Sequence, residues 1–181
     1  MADNHTKAAF RVDRAGGFTL LELIVTIAVA AILLAVAIPS YRSMVQRNAL
    51  AANVNDLVGD LNYARAQAVT RGQDVFICSS RNQTSCSTDG DWSQGWVLYV
   101  ANDPATVNPT PATSQLLRAH GAADAGFSLM TTETAPLSFN SSGFTLSGNR
   151  TFVATTSEGT QSTTIGIAVT GRVEVERDTS S

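Results

Sequence analysis

Histidine, cysteine and lysine are scarce in this sequence of 181 residues. It has two histidines, two cysteines and a single lysine. No GxSxG, HExxH or GxxxxGK[ST] pattern occurs, and no serine or cysteine has an evident histidine base nearby in sequence. The sequence therefore predicts a protein that is not an enzyme and that uses no cofactor.

The two cysteines, Cys78 and Cys86, enclose seven residues. In an oxidising compartment we expect a disulfide between them, which would close a short loop. Two free thiols or a metal site are the alternatives. A metal site is disfavoured because there is no CxxC spacing and because His120 lies far along the chain.

What the sequence does contain is a long apolar run near its N-terminus. The 21 residues from Phe18 to Ile38 are enough to cross a hydrocarbon core of about 30 Å as a helix. Glu22 is the only ionisable residue among them. Because a carboxylate at membrane depth is costly, Glu22 is predicted to have a function. An opposite charge beside it, such as the free amine of an N-terminus, would make it tolerable.

Two other interpretations of this run are open, a secretory signal peptide and a plain membrane anchor. Lys7, Arg11 and Arg14 would form the basic region of a signal peptide, and residues 35–37 a small-x-small cleavage site. The run is longer than the ~7–15 apolar residues of most signal peptides, and neither interpretation explains Glu22. The basic residues also predict that the N-terminus stays in the cytoplasm while the rest is exported.

Residues 16–22 read Gly-Gly-Phe-Thr-Leu-Leu-Glu, which resembles the leader junction of type IV pilins and type II secretion pseudopilins. The resemblance implies that a prepilin peptidase cuts between Gly17 and Phe18 and so removes the leader, residues 1–17. It also implies that the new N-terminus, Phe18, is methylated. Glu22 would then pair with the N-terminal amine of a neighbouring subunit, which would set the register of a filament.

An amphipathic pattern follows Pro39, which is expected to kink the helix rather than necessarily end it. Apolar residues recur at spacings of three and four with polar residues between them, as on a helix that lays one face on a core. With Gly72 as its C-cap, one helix of roughly fifty residues is predicted, with 18–38 in the membrane and 39–71 continuing into the head. The apolar positions are Leu50, Val54, Leu57, Leu61, Ala64 and Ala68, and the polar ones are Asn53, Asp56, Asp60 and Arg65.

Residues 72–181 are predicted to form a periplasmic domain of antiparallel β-sheet, because short β-rich runs alternate with turn residues. Residues 102–114, which include three prolines, are predicted to be a loop. The fold class is therefore α+β and pilin-like, a long N-terminal helix packed on antiparallel sheet. The predicted strands are 75–78, 95–100, 116–117, 127–130, 137–139, 144–146, 151–154, 164–170 and 172–176.

Several motifs in this domain resemble the GspH/FimT family, which contains minor pilins of the FimT and FimU type and the secretion pseudopilin GspH. Trp92 and Trp96 belong to these motifs, and we expect them to pack in the core and in turns rather than to contact a ligand. The motifs are Cys78-Ser79-Ser80, Cys86, Asp91-Trp92-Ser93-Gln94-Gly95-Trp96, Asp103, Leu116-Leu117-Arg118, Phe139-Asn140-Ser141-Ser142-Gly143 and Gly171-Arg172-Val173.

The resemblance implies a non-catalytic minor pilin that assembles through its N-terminal helix into a type IV pilus, in an initiating or tip complex. The alternative is a minor pseudopilin of a type II secretion system. The implied partners are other pilins or pseudopilins, the prepilin peptidase and an inner-membrane assembly platform. The implied location is the bacterial inner membrane, crossed once with the C-terminal domain in the periplasm, and afterwards the filament.

Some FimT proteins bind DNA during natural transformation, through a Gly-Arg-x-Arg motif near the C-terminus. Here Glu174 occupies the place of the second arginine, and carboxylates repel the phosphates that dominate DNA affinity. From Phe18 onward the chain has nine arginines and thirteen acidic residues, which gives no general attraction to nucleic acid. DNA binding is therefore a second alternative, with Arg172 and Arg177 as its candidate contacts.

Overall fold

The computed structural model describes residues 17–102, 109–123, 126–156, 159 and 161–178. The chain divides into two units at Tyr41 and Arg42. The first contains the apolar part of helix α1, which spans Leu20–Arg71. The second contains the remainder of α1 and two antiparallel β-sheets. Residues 1–16 of the predicted leader and the motif residue Asp103 lie outside the described residues.

In the first unit, helix α1 begins with a capped turn and is long and apolar enough to cross a membrane. The hydroxyl of Thr19 accepts the N–H of Glu22 at 3.2 Å, so Thr19 is the N-cap. The helix passes through Pro39 without ending there, as predicted. The large apolar side chains of this unit are exposed in the single chain, which leaves them free to contact lipid or other helices.

In the second unit, the remaining part of α1 packs its apolar stripe against the sheets. All six apolar positions predicted to face the core, from Leu50 to Ala68, are buried. The helix ends at Arg71, and Gly72 has φ +66°, a left-handed conformation that favours glycine. The N–H groups of Gly72 and Gln73 donate to the carbonyl of Ala68 at 3.0 and 3.3 Å. Gly72 is therefore the C-cap, as predicted.

In the residues that the structure describes, eight strands form two four-stranded sheets in which every pairing is antiparallel. The strands are β1 (Val75–Ser79), β2 (Trp96–Ala101), β3 (Ser114–His120), β4 (Phe127–Met130), β5 (Leu137–Phe139), β6 (Arg150–Thr156), β7 (Ser162–Ile167) and β8 (Val173–Asp178). Sheet A has the strand order β3-β2-β1-β5, and sheet B has the order β4-β6-β7-β8. A short 3-10 helix, Pro111–Thr113, precedes β3.

The larger core lies between the buried face of α1 and the inner faces of the two sheets. Trp92 and Trp96 are buried in it, which agrees with the packing role predicted for them. Phe152 of β6 meets Trp92 edge-on at 4.8 Å between ring centroids, one of the favoured geometries for aromatic pairs. Because side chains of this size bury a large apolar area, they contribute strongly to holding the sheets on the helix.

The predicted strand at 144–146 was wrong. The side chain of Asn140 accepts the N–H groups of Ser142 and Phe144 at 2.9 and 3.0 Å, so it holds the turn that leads into this segment and takes the N–H of its first residue. Such side-chain bonds compete with the backbone pairing of a strand. Thr145 forms an isolated bridge with Phe139 rather than part of a strand, and its own N–H donates to the carbonyl of Val169 at 2.9 Å.

The predicted limits of two other segments also need correction. Strand β7 ends at Ile167 rather than residue 170, because the N–H of Gly171 donates to the carbonyl of Ala168 at 2.8 Å and closes a turn. Within the predicted loop 102–114, residues 111–113 form the 3-10 helix and Ser114 already belongs to β3. Residues 103–108 of that loop lie outside the described residues.

Candidate functional site

Glu22 lies in the first turn of helix α1, three residues after the cap Thr19. The sequence Thr19-Leu20-Leu21-Glu22 matches the capping-box pattern, of which the structure has the threonine half. A carboxylate in the first turn is also favoured by the positive end of the helix dipole. The end of its own helix therefore stabilises the carboxylate of Glu22, whereas the neighbouring residues in the helix are apolar.

Gly17 and Phe18 precede the helix in non-helical chain and are exposed. The peptide bond between them is therefore free of helical hydrogen bonding, which suits a peptide bond that a peptidase must reach. Within one chain, Phe18 lies immediately before the cap and Glu22 about one turn beyond it. An amine at Phe18 would consequently stand at the same helix end as the carboxylate.

Cys78 and Cys86 are joined by a disulfide, the state that the sequence favours. The bond ties the loop after β1 to the outer face of sheet A, where Cys78 clusters with Val97 and Tyr99. Asn82 organises the same loop, because its side-chain oxygen accepts the N–H groups that follow it at positions 84 and 85, at 3.0 and 2.9 Å. The disulfide is thus a structural clamp.

A cavity of about 650 Å³ opens beside this disulfide. Its lining residues within the described part of the chain are uncharged, among them the stacked rings of Phe76 and Tyr99, whose centroids lie 5.5 Å apart. The hydroxyl of Tyr99 lies 3.7 Å from the sulfur of Cys86. Burial raises the pKa of Tyr99 to about 12, because the apolar surroundings disfavour a phenolate.

A buried carboxylate, Asp60, forms the main polar cluster of the core. The indole Nε1 of Trp96 donates to its Oδ2 at 2.8 Å, and the guanidinium of Arg118 donates to its Oδ1 at 2.5 Å. The Nδ1 of His120 lies 3.8 Å from Oδ2, and its ring stacks on Trp96 with centroids 4.0 Å apart. The hydrogen bond with Asp60 raises the pKa of Arg118. The cluster joins α1 to strands β2 and β3.

Asn53 and Asp60 lie between the apolar positions of the amphipathic helix, and that pattern did not predict their burial. Both are buried, and the Nδ2 of Asn53 donates to the carbonyl of Ala49 at 2.8 Å. A signal was present, since Asn53, Leu57, Asp60 and Ala64 follow one another at spacings of four, three and four, which is the period of a helix face. Because Asn53 and Asp60 are polar, the prediction did not include them in the buried face despite this helical spacing.

The motifs Phe139-Asn140-Ser141-Ser142-Gly143 and Gly171-Arg172-Val173 meet in the structure. A Cβ at Gly171 would lie 2.1 Å from the carbonyl oxygen of Gly143. The same carbonyl accepts a hydrogen bond from Nε of Arg65 at 3.0 Å. These glycines therefore let two chain segments and one helix side chain approach closely.

Arg172 and Arg177, the candidate DNA contacts, are both exposed but do not converge. The Nε of Arg172 lies 3.3 Å from Oε1 of Glu174, in an exposed ion pair. Successive side chains of a strand point to opposite faces, so Arg177 of β8 lies on the face opposite Glu174 and Glu176. The geometry therefore favours an exposed strand with locally paired charges.

The family described as type II transport protein GspH matches residues 53–171, which is well over half of the chain. The chain belongs to the GspH family. The prokaryotic N-terminal methylation motif matches residues 13–38, the segment that contains Gly17, Phe18 and Glu22. The family is one of structural pilin and pseudopilin subunits, as the sequence motifs indicated.

Solved structures of this type share the fold. The type IV minor pilin FimU of Pseudomonas aeruginosa PAO1 has a TM-score of 0.56 at 21% identity, over 74% of this chain and 95% of that one. The minor pseudopilin EpsH of the Vibrio cholerae type 2 secretion system has a TM-score of 0.50 at 11% identity, over 70% and 94%. The predicted pilin-like architecture of the GspH-family chain is therefore confirmed.

A curated relative is the type IV major fimbrial protein FimA of Dichelobacter nodosus. It is 30% identical over 104 residues, which are 54% of this chain and 55% of FimA. The chain thus spans about half the length of this relative.

Proposed function

We propose that this GspH-family protein is a minor pilin that enters a type IV pilus through helix α1, in an initiating or tip complex. The observation that carries the proposal is the lone carboxylate of Glu22 in the apolar, exposed N-terminal part of helix α1. Residues 1–17 are the leader, 18–38 cross the inner membrane, 39–71 continue the helix, and 72–181 form the periplasmic head.

Assembly would proceed in two chemical steps. The prepilin peptidase cuts between Gly17 and Phe18, and the freed amine of Phe18 is methylated. The helix then leaves lipid for a bundle of pilin helices at the inner-membrane assembly platform. There the carboxylate of Glu22 meets the N-terminal amine of a neighbour, and an opposite charge offsets the cost of burying it.

A pseudopilus of a type II secretion system is the alternative, since the same helix chemistry serves both machines. The 30% identity with the type IV major fimbrial protein FimA supports the pilus, whereas the fold is shared with FimU and EpsH alike. In-cell cross-linking with mass spectrometry on the tagged protein separates the two. Cross-links to major and minor pilins support the pilus, whereas cross-links to secretion pseudopilins and their platform would replace it with the pseudopilus.

DNA uptake is a further candidate, which the pairing of Arg172 with Glu174 disfavours. A mobility-shift assay at low salt with the detergent-solubilised chain tests it, because phosphate contacts are strongest at low salt. We expect no shift at micromolar protein. A shift that Arg172→Ala or Arg177→Ala weakens would establish DNA binding instead.

A further inference from the structure

The cavity beside the disulfide has the size of a site for a small organic molecule. Its volume of about 650 Å³ falls within the ~300–1,000 Å³ of most ligand pockets. A dry cavity of about 150 Å³ already holds benzene, so one aromatic side chain of a neighbouring protein would leave most of this space empty. The volume therefore suits a free molecule of more than one ring.

The floor of the cavity is a row of side chains across three strands of sheet A. Phe76 of β1 is paired with Tyr99 of β2 on one side and with Ser138 of β5 on the other. Residues directly opposite in an antiparallel pair present their side chains on the same face. The rings of Phe76 and Tyr99 stack, with 16° between their planes. Because adjacent strands lie about 4.8 Å apart, a flat ring above Ser138 would stack on the side of Phe76 that faces away from Tyr99.

Two buried hydroxyl groups of the lining lack a strong hydrogen-bond partner among the described residues. Ser138 is 5% exposed, and its hydroxyl makes no hydrogen bond with any residue that the structure describes. The hydroxyl of Tyr99 contacts the sulfur of Cys86 at 3.7 Å, and sulfur is a weak acceptor. Because buried polar groups are normally hydrogen-bonded, both hydroxyls are available as donors to an oxygen atom in the cavity.

The lining disfavours two classes of ligand. A charged molecule would lose water without gaining a counter-charge, because the lining residues in the described ranges are uncharged. A carbohydrate would need partners for many hydroxyls, whereas the hydroxyls of Ser85, Thr110 and Ser147 are already bonded within the protein. An uncharged, mostly apolar molecule with few polar atoms fits this lining better.

We propose that the cavity binds an uncharged, planar aromatic molecule with a carbonyl oxygen, which stacks on Phe76 above Ser138 and accepts a hydrogen bond from the Ser138 hydroxyl. Such a molecule would contact the loop that ends at Cys86, the segment 109–112 and the residues before β5. Binding would therefore hold three separate segments together and stabilise the folded head. The inference does not depend on which filament the protein enters.

The test uses coumarin, an uncharged planar molecule of two fused rings with a carbonyl group. Saturation-transfer NMR on the detergent-solubilised full-length chain, with protein-free micelles as the blank, measures its binding. We expect a Kd of about 1 mM or tighter, which is modest for a ligand of this size. Octahydrocoumarin keeps the carbonyl but has no flat ring, and it should bind about fivefold more weakly or worse. Coumarin carboxylate adds a charge and should also bind about fivefold more weakly or worse.

Variants test the two contacts separately. Phe76→Leu keeps an apolar side chain but removes the ring, and it should lower the affinity for coumarin about fivefold. The matched control Phe144→Leu changes a half-exposed phenylalanine outside the cavity lining and should leave the affinity unchanged. Ser138→Ala removes one donor and should lower the affinity about two- to tenfold. The fluorescence of the buried Trp92 and Trp96 shows whether each variant is folded.

The inference is overturned if folded wild-type protein does not bind coumarin, or if Phe76→Leu and Ser138→Ala both bind it as well as the wild type. Equal binding of coumarin carboxylate would likewise overturn the choice of an uncharged ligand.

A second measurement asks whether protein fills the cavity instead. The photo-cross-linking amino acid p-benzoylphenylalanine replaces Ser147, an exposed residue of the lining, in the full-length protein in cells. A cross-link to another subunit would replace the small molecule with a protein partner, and no such cross-link supports the inference. Neither measurement bears on the entry of helix α1 into filaments, so the proposed function stands or falls separately.

Discussion

The indole N–H of Trp96 donates a hydrogen bond of 2.8 Å to the carboxylate of Asp60, and both side chains are buried. This bond joins helix α1 to strand β2 in the interior of the head. Arg118 supplies the opposite charge from β3, so the carboxylate is both paired and hydrogen-bonded. Through these contacts, Asp60 fixes the position of this part of the helix against sheet A.

Removing the acceptor at Asp60 is expected to destabilise the head. Asp60→Leu leaves the Trp96 N–H buried without a partner, which costs about 1–3 kcal/mol of unfolding free energy. Asp60→Asn keeps an acceptor oxygen and should lose less. Urea unfolding of the detergent-solubilised chain, followed by tryptophan fluorescence, measures both, with the exposed Asp56→Leu as control. An Asp60→Leu protein as stable as the wild type would contradict this role.

Alanine substitutions at Gly171 and Gly148 allow the cost of a steric clash to be measured separately from the cost of backbone strain. Gly171 and Gly148 have φ of +74° and +77°, so alanine at either position is strained by about 1–2 kcal/mol. A Cβ at Gly171 would also meet the Gly143 carbonyl at 2.1 Å, whereas one at Gly148 meets nothing within 4 Å. Urea unfolding should show a clearly larger loss for Gly171→Ala than for Gly148→Ala. Equal losses would mean that the segments at Gly171 and Gly143 can move apart to admit the methyl group without further loss of stability.

Because Tyr99 is buried, we expect the head to lose stability at strongly alkaline pH. Burial raises the pKa of Tyr99 from 10.0 to about 12, so the folded head favours the neutral phenol. The stability that this contributes is fully present below pH 10 and is lost as the pH rises through about 12. Tyrosinate absorbance during a pH titration should show a late step that Tyr99→Phe removes. A titration whose last step is unchanged in Tyr99→Phe would refute the assignment.

The elements with a strong local signal could be predicted from the sequence. The six apolar helix positions recur at helical spacing, and Gly72 supplies the left-handed residue that ends the helix. Strands β4 and β5 match their predicted limits because turn residues bound them on both sides. The pilin-like fold followed from motifs that extend along most of the chain.

What could not be predicted depends on contacts between residues far apart in sequence. Asp60 is buried because Trp96 and Arg118, 36 and 58 residues away, supply its partners. The segment 144–146 looks like a strand by composition, yet in the structure it makes only an isolated bridge to β5, through Thr145 and Phe139, which are close because Asn140 holds the turn between them. The division of the strands into two sheets, which leaves β3 at an edge, follows from pairings that no local pattern specifies.

Incorporation of Glu22 variants into filaments tests the central claim most directly. Glu22→Gln keeps the size of the side chain and removes its charge. Thr26→Ala is a matched control for a polar group in the same apolar run, because the hydroxyl of Thr26 donates to the carbonyl of Leu23 in its own helix at 2.8 Å. Membrane insertion and leader cleavage are followed on immunoblots, and incorporation by co-purification with sheared filaments. We predict that Glu22→Gln is inserted and cleaved but is depleted from filaments at least about tenfold, since a charge pairing worth more than 1.4 kcal/mol is lost, while Thr26→Ala is incorporated normally. Normal incorporation of Glu22→Gln would contradict the account.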